Sequence, residues 1–358
     1  MSYYILPKNI NIINVNPKSS SIPCNVYLSY SLLNYYNSVK NQIINMFHLI
    51  NDLSSNNYEE AITIVNPYEF IFSKVPGSKF SVSKLKPKTN LFYDLFEIIN
   101  NLNIFDNFKE NAIKTLHMSP NCADSIECNE MLRENYNDDY FLYSDVNLYS
   151  KLNDNKFDYI FYECNKSDYV MSLLISLIII VKNQKYNGNC IIKLSDIFHK
   201  PTLDILYFLT SLYDKVYIVK PSTSNITTFD KYIVCKNFRY NETNNAYLKF
   251  NYYTLLIFLK KFDNSNNYIT DILDFNIPYY FKSKIEDLNI IIGQQQLEAL
   301  DQIINIFKNK NREDKIENIK KTNIQKSVLW CEKYKIPCNK FTERINMFLP
   351  IITETILL

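Results

Sequence analysis

The pattern of apolar and polar positions is clearest between residues 186 and 238, where it predicts three strands around one helix. The predicted strands are 190–194, 215–219 and 230–235, and the predicted helix is 201–213. Pro201 suits the first turn of that helix, because the N–H that proline lacks is not needed there. The first strand is apolar except for one residue, Lys193. A lysine in an apolar strand requires a partner or an open cleft, because burying its charge alone is costly.

The rest of the chain alternates between helical and extended patterns. Amphipathic or apolar helices are predicted at 32–52, 90–108, 167–184, 248–262, 277–307 and 308–326. Strands are predicted at 112–118 and 156–164, a strand followed by a basic loop at 61–88, and a helix with a short strand and a loop at 129–154. Trp330, the single tryptophan, is expected to pack the last helix on the body of the protein.

Composition narrows the functional classes. The formal net charge of +2 argues against strong general affinity for nucleic acids, although a local basic patch remains possible. Eight cysteines without a CxxC pair, and only three histidines, exclude the spacing of zinc fingers and suit packed thiols in a reducing compartment. No signal peptide is predicted, and the longest apolar run, 169–181, is too short to span a bilayer. We therefore expect no bound metal, no membrane association and no secretion.

One local basic patch is the predicted loop that contains Lys79, Lys84, Lys86 and Lys88, with Phe80 and serines between the lysines. Such a loop can contact the phosphates of RNA. It can equally be a solvated surface loop, because runs of lysine are common and usually exposed.

Residues 186–238 resemble the C-terminal half of the FtsJ/RrmJ-type RNA ribose 2′-O-methyltransferases, in the form found in large DNA viruses. The resemblance rests on a strand that ends in Ile-Ile-Lys193, on His-Lys-Pro-Thr at 199–202, and on Val-Tyr-Ile-Val-Lys-Pro-Ser-Thr-Ser at 216–224 followed by Asp-Lys-Tyr-Ile-Val-Cys-Lys-Asn-Phe at 230–238. A weaker likeness extends over residues 60–340. It implies an α/β fold with a Rossmann-like, mostly parallel sheet and helices on both faces.

The resemblance also implies a catalytic tetrad of Lys, Asp, Lys and Glu. Lys193 occupies the position of the second lysine, which in active relatives polarises or deprotonates the ribose 2′-OH. Glu163 stands at the aspartate position, Asp230 at the glutamate position, and Lys88 is the candidate for the first lysine. A glutamate in place of aspartate moves the carboxylate by more than an ångström, which can cost about 10²-fold in rate. In a purely structural interpretation, Asp196 is the partner of Lys193.

The largest departure from the family concerns the turn that binds S-adenosylmethionine. Active relatives carry a glycine-rich turn after the first strand of the core, whereas residues 116–127 contain no glycine. Ser119, Asn121, Ala123 and Asp124 lie where the family binds its cofactor. Glycine allows unusual backbone angles and close approach of a ligand, so these Cβ-bearing replacements predict that the cofactor is not bound in the family's manner. His117 is expected to be a core histidine.

Two functions from different classes follow from the resemblance. The first is an RNA 2′-O-methyltransferase homologue without catalysis or cofactor, which acts as a binding, stabilising or virion-associated subunit with RNA or a viral protein as partner. The second is an active mRNA cap 2′-O-methyltransferase in which Lys193 activates the 2′-OH. A third, weaker alternative is an RNA-binding module. We expect an accessory segment at 1–89, the core at 90–245, a helical extension at 246–358, and a location in the host cytoplasm or the virion.

Overall fold

The computed structural model describes residues 1–48, 56–120, 122–144, 152, 154–164, 169–241, 245–262, 267–308 and 313–339. Within these residues a seven-stranded mixed sheet forms the centre of the molecule. Its strands are β1 (Ser2–Ile5), β3 (Lys114–Met118), β4 (Asp139–Tyr143), β5 (Phe157–Glu163), β6 (Gln184–Leu194), β7 (Tyr213–Lys220) and β8 (Lys231–Phe238). A separate two-stranded sheet joins β2 (Lys18–Ser20) to β9 (Tyr268–Asp271).

The order of strands in the large sheet is β1-β7-β8-β6-β5-β3-β4. Strands β4, β3, β5 and β6 are parallel to one another, whereas β8 is antiparallel to both β6 and β7. Strand β7 therefore runs in the same direction as β6. The carboxyl ends of β3, β5, β6 and β7 consequently meet at one edge of the sheet, where α/β folds place their ligand sites.

Helices cover both faces of the sheet. The described helices are α1 (Tyr30–His48), α2 (Asn56–Val65), α3 (Leu91–Leu102), α4 (Cys122–Leu132), α5 (Tyr169–Asn183), α6 (Lys200–Leu212), α7 (Ala246–Phe262), α8 (Tyr279–Lys308) and α9 (Glu313–Lys333). Side chains of α5, α6, α7 and α8 share one hydrophobic core with the sheet, and those of α3, α4 and α9 share a second core on the opposite face. A third, smaller core joins α1, α2 and α8. The Rossmann-like α/β fold with helices on both faces of the sheet, which was predicted from the sequence, is confirmed.

Most of the predicted helices and strands are present, and they differ from the prediction mainly in the residues at which they begin and end. Helix α3 ends at Leu102 instead of continuing to residue 108, because Asn103 adopts a left-handed conformation (φ 51°) and donates its N–H to the carbonyl groups of Ile99 and Asn100. Trp330 is buried and packs edge-on against Tyr93, with 5.9 Å between the ring centroids, as expected of an anchor.

Two predicted elements are wrong. Residues 61–65, read as a strand from their β-branched side chains, belong to α2. Ala61, Ile64 and Val65 are buried there, and α2 packs against α8 and α9, so tertiary packing overrides the local preference. The helix expected to begin near residue 129 begins at Cys122, directly after the turn that follows β3.

The sequence also gave no indication that the first residues belong to the large sheet. Strand β1 pairs antiparallel with β7, from Ser2 opposite Lys220 to Ile5 opposite Tyr217. Residues 1–89 therefore contribute an edge strand to the sheet as well as helices α1 and α2. The boundaries of the three predicted segments stay a prediction.

Candidate functional site

Two of the predicted tetrad residues meet at the carboxyl edge of the sheet. Glu163 ends β5, and Lys193 lies opposite it in the parallel pairing of β5 with β6. The Lys193 Nζ donates to Glu163 Oε1 at 2.8 Å, and both side chains are largely buried. The pair forms because the two strands are in register, so the side chains emerge side by side on the face that α3 covers.

Glu163 has a second partner on the neighbouring strand. Ser119, fully buried just after β3, donates its hydroxyl to Glu163 Oε2 at 2.5 Å. The chain Ser119–Glu163–Lys193 thus crosses three adjacent strands, β3, β5 and β6. It holds the carboxylate by both oxygens and aims the ammonium group of Lys193 towards α3 and β8.

Asp94 is the residue that sequence reasoning missed. It lies inside α3, is almost fully buried, and accepts hydrogen bonds from Thr223 Oγ1 at 2.5 Å and from Tyr232 OH at 2.8 Å. Tyr232 is the register partner of Lys193 in the antiparallel pairing of β6 with β8. Burial raises the pKa of Asp94 to about 6, against the opposing influence of these hydrogen bonds and of the positive charge of Lys193. A buried polar residue within an amphipathic helix is the one signal that could have pointed to it.

The charge around Lys193 is dominated by carboxylates. Burial lowers the pKa of this lysine, but Glu163, Asp94 and Asp230 together outweigh burial and raise its pKa above the ordinary value. Lys193 is therefore held as a cation. The charge of Asp230 contributes to this shift, and its place in a catalytic tetrad stays a prediction.

The loop between β7 and β8 is fastened by a second lysine. Lys220 Nζ donates to the carbonyl oxygens of Asn225 (2.8 Å), Thr228 (2.9 Å) and Asp230 (2.8 Å). These bonds fix residues 221–230 over the carboxyl end of β7, and Thr223 of the same loop binds Asp94. The loop and the Lys193 cluster are therefore one connected polar network.

Lys231, the residue after Asp230, has a different environment on the opposite face of the sheet. Its side chain is fully buried, and its Nζ has no hydrogen-bond partner among the described residues. The Nζ lies 5.8 Å from the centroid of the Phe229 ring. Burial lowers the pKa of Lys231 to about 7. Asp196, the alternative partner considered for Lys193, instead lies 3.5 Å from His199 Nδ1.

The turn after β3 is closed by its own side chains. Cys122 Sγ donates towards the carbonyl oxygens of Ser119 (2.7 Å), His117 (3.5 Å) and Tyr143 (3.6 Å), which lie at the ends of β3 and β4. Asp124 is buried and accepts from the Lys88 N–H (3.0 Å) and from the Thr89 hydroxyl. Ala123 is exposed, and Asn121 lies outside the described residues. The described side chains Cys122 and Asp124 of this turn are therefore engaged in hydrogen bonds within the protein.

The basic loop keeps its lysines at the surface. Lys79, Lys84, Lys86 and Lys88 are exposed, and Lys88 contacts the turn after β3 through its backbone N–H. The structure thus brings together Glu163, Lys193 and the charge of Asp230. It places the lysine proposed for the first tetrad position at the surface, and a buried carboxylate, Asp94, beside Lys193.

His117 lies in the core, as predicted. It is fully buried, and its Nδ1 lies 2.8 Å from Ser125 Oγ. Burial lowers the pKa of His117 to about 3, so the imidazole is neutral at physiological pH. Among the residues with described positions, no group of three or more His, Cys, Asp and Glu side chains could hold a metal ion. None of the described helices is long and apolar enough to cross a membrane.

Comparisons of sequence connect the chain to RNA cap methyltransferases over limited stretches. It is 29% identical to cap-specific mRNA (nucleoside-2′-O-)-methyltransferase 1 of Dictyostelium discoideum over 114 residues. This stretch covers 31% of this chain and 14% of that protein. It is 42% identical over 52 residues to the enzyme of the same name from Trypanosoma cruzi, again 14% of that protein. The chain therefore spans about a seventh of the length of these relatives. No protein-family model matches it.

A viral protein matches over a longer stretch. The uncharacterized protein R383 of Acanthamoeba polyphaga mimivirus is 24% identical over 226 residues, which cover 61% of this chain and 58% of that protein. Among solved structures, a putative ribosomal RNA methyltransferase from Plasmodium falciparum aligns with 42% of this chain at 18% identity and a TM-score of 0.32. The sequence matches support a relation to RNA 2′-O-methyltransferases.

Proposed function

We propose that the chain is a non-catalytic homologue of cap-type RNA 2′-O-methyltransferases that binds RNA as a subunit of a larger assembly. The observation that carries this proposal is the set of three carboxylates, Glu163, Asp94 and Asp230, around a single buried lysine, Lys193. These carboxylates favour the charged form of Lys193, whereas a lysine that deprotonates the ribose 2′-OH must be neutral.

A lysine that activates a hydroxyl group works best when its pKa lies near the operating pH. The neighbours of Lys193 shift its pKa in the opposite direction. Asp94 contributes to this effect from within α3, and its hydrogen bonds to Thr223 and Tyr232 fix it in place. Lys193 therefore serves as the counter-ion of Glu163, and the site is a stable polar network within the fold.

The turn after β3, where active relatives bind their cofactor, supports the same proposal. Cys122 closes the turn after β3 against the carbonyl groups of His117 and Ser119. Burial raises the pKa of the Cys122 thiol, so it remains a protonated donor to these carbonyl groups. In active relatives the corresponding turn binds the methyl donor, so side chains that are engaged in hydrogen bonds within this turn support the proposal.

The similarity to cap-specific methyltransferases supports RNA as the ligand class. The exposed lysines Lys79, Lys84, Lys86 and Lys88 offer phosphate contacts, and Lys88 adjoins the turn after β3 at the carboxyl edge of the sheet. With an overall charge of +2, binding through this loop is local and strongly dependent on salt. The mimivirus relative supports a viral setting, in which the partner is a viral protein and the location is the host cytoplasm or the virion.

An active enzyme is the second candidate, and one observation favours it. Glu163 and Lys193 remain paired at the ends of adjacent parallel strands, 2.8 Å apart, where the resemblance places a carboxylate and a catalytic lysine. In that function Lys193 orients or polarises the ribose 2′-OH.

Calorimetry with S-adenosylmethionine at millimolar concentration separates the two candidates. We expect no binding heat and no methyl transfer to capped RNA, together with RNA binding that weakens as salt is raised. Micromolar cofactor binding and methyl transfer that Lys193→Ala abolishes, while Lys215→Ala at an exposed position of β7 preserves both, would establish the enzyme instead. Absence of RNA binding in low salt would also contradict the proposal.

A further inference from the structure

A large cavity lies beside the Lys193 network at the same edge of the sheet. It has a volume of about 570 Å³, is open to solvent, and is lined by α8, α9, the end of α2, the start of β1 and the loop between β7 and β8. This volume is within the range of small-molecule sites in proteins. The loop that Lys220 fastens forms one wall, through Pro221, Ser222 and Ser224.

The chemistry of the cavity changes from its base to its rim. Buried apolar side chains from three elements line the base, beside the buried polar side chains of Lys220, Gln296 and Asn323; the apolar ones are Val65, Pro221, Ile292 and Ala299. The rim carries exposed amides and a hydroxyl from two helices: Gln295, Gln302, Asn318 and Thr322. Lys326 and Glu298 are the charged side chains at the exposed rim. Side-chain amides pair with the edges of nucleobases, and an apolar base accommodates the faces of the ring.

We infer that this cavity binds one unpaired nucleobase of a single-stranded RNA. The inference rests on the proposed function, since it names the part of the RNA that this chain recognises. The amides at the rim supply both donors and acceptors, as the edge of a base requires. Lys326 stands at the opening, where the phosphate attached to the base would emerge.

The cavity is coupled to the neighbouring network by one short segment. Ser222 and Ser224 line the cavity, and Thr223 between them donates to Asp94. The Ser222 N–H also donates to Glu97 of α3 at 2.7 Å. A base in the cavity thus contacts the loop that Asp94 and Glu97 hold in place. The polar network around Lys193 therefore helps to shape the binding site.

Ligand-observed NMR with AMP, GMP, CMP and UMP at millimolar concentration tests the inference without any RNA. We expect saturation transfer to the base protons of at least one nucleotide, with no binding of inorganic tripolyphosphate at the same site. Thr322→Trp, which places an indole ring at the rim, is expected to weaken that binding about tenfold, an effect the size of one lost base contact. Gln325→Trp, exposed on the same helix outside the cavity, is the matched control and leaves binding unchanged.

Gln302→Ala is a second variant that does not depend on tolerance of an added ring. It removes one amide from the rim and is expected to weaken the same nucleotide several-fold. Equal nucleotide binding by wild type, Thr322→Trp and Gln302→Ala would overturn the inference. Competition by tripolyphosphate would overturn it as well, because it would show recognition of phosphate alone.

The two proposals fail in different experiments. Methyl transfer with an intact effect of Thr322→Trp would refute the non-catalytic function and keep the base site. RNA binding without any nucleotide signal would keep the function and refute the site.

Discussion

Two lysines in neighbouring strands show how differently one fold treats the same side chain. Lys193 in β6 and Lys231 in β8 are one register position apart, since Lys193 pairs with Tyr232 and Leu194 pairs with Lys231. They point to opposite faces of the sheet. Lys193 meets three carboxylates and its pKa is raised, whereas Lys231 lies beside Phe229 and its pKa is lowered to about 7.

The difference teaches that burial alone does not decide the charge of a lysine in a sheet. Both side chains lose water, which favours the neutral form. At Lys193 the nearby negative charges reverse that preference, and at Lys231 the influence of Asp196 and Asp230 is too weak to do so. The residue with a low pKa is thus sealed in the core, and the residue at the candidate site remains a cation.

The same substitution at the two sites is expected to change stability in opposite directions, with the larger effect at Lys231. Lys231→Met retains the volume and removes an amine that must lose its proton to be buried. At pH 7 the free energy of unfolding should rise by on the order of 2–4 kcal/mol. Urea denaturation followed by circular dichroism measures this value.

The stabilisation expected from Lys231→Met should depend on pH in a definite direction. Between pH 7 and about 10.5 the unfolded chain holds the Lys231 proton and the folded chain does not, so the stability contributed by this residue rises with pH. The advantage of Lys231→Met over the wild type should therefore be full below pH 7 and vanish as the pH approaches 10.5. An advantage independent of pH would show that Lys231 is not neutral in the folded protein.

Lys193→Met should destabilise the protein by about 1–3 kcal/mol at pH 7, because Glu163 and Asp94 would lose their cation while remaining largely buried. This loss of stability is smaller than that expected for a fully buried ion pair, because both Glu163 and Lys193 retain some exposure. Denaturation under the same conditions as for Lys231→Met provides the measurement. Equal stability of the variant and the wild type would show that the pair contributes nothing to the fold.

Glu163→Gln addresses the cause of the raised pKa. It removes the direct partner of Lys193 and retains a side chain that can accept from Ser119, so the pKa of Lys193 should fall markedly. NMR of the lysine Nζ or Cε during a pH titration follows the change. A pKa that stays at its wild-type value would mean that Asp94 and Asp230 suffice to hold the charge.

Asp94→Asn should produce a smaller decrease in the pKa of Lys193, because Asp94 acts through its charge at a longer distance. The pKa of Asp94 itself, about 6, implies that its carboxylate costs stability above that pH and less below it. The same titration reads out both variants. A larger decrease for Asp94→Asn than for Glu163→Gln would contradict the ranking of the two carboxylates.

The sequence predicted the interior of the fold better than its site. The centres of β5, β6, β7 and β8 are apolar runs separated by clear breaks, so the hydrophobic pattern predicts these strands, although β6 begins at Gln184, six residues before the apolar run at 190–194. Helix α2 was misread because its β-branched residues favour strands, and only contacts with α8 and α9 make it helical. Local preference could not anticipate those contacts.

The site was predicted in part, for a similar reason. Lys193 and Glu163 end apolar strands, where a charged residue is conspicuous, and pairing of the strands brings them together. Asp94 lies in the middle of an amphipathic helix and bonds to residues more than 100 positions away in the chain. Its place among the apolar positions of that helix is the only local signal of its burial, and that signal does not identify its partners. The part of Cys122 in closing the turn after β3 likewise depends on the path of β4.

The position of β1 has a consequence for how the chain folds during synthesis. Residues 2–5 are made before the strand with which they pair, which is completed roughly 200 residues later in the chain, a pairing of very high contact order. At typical rates of translation the nascent strand waits on the order of 10–40 s for its partner. Until then Tyr3 and Ile5 belong to an unpaired strand, so this edge strand docks only after β7 has emerged.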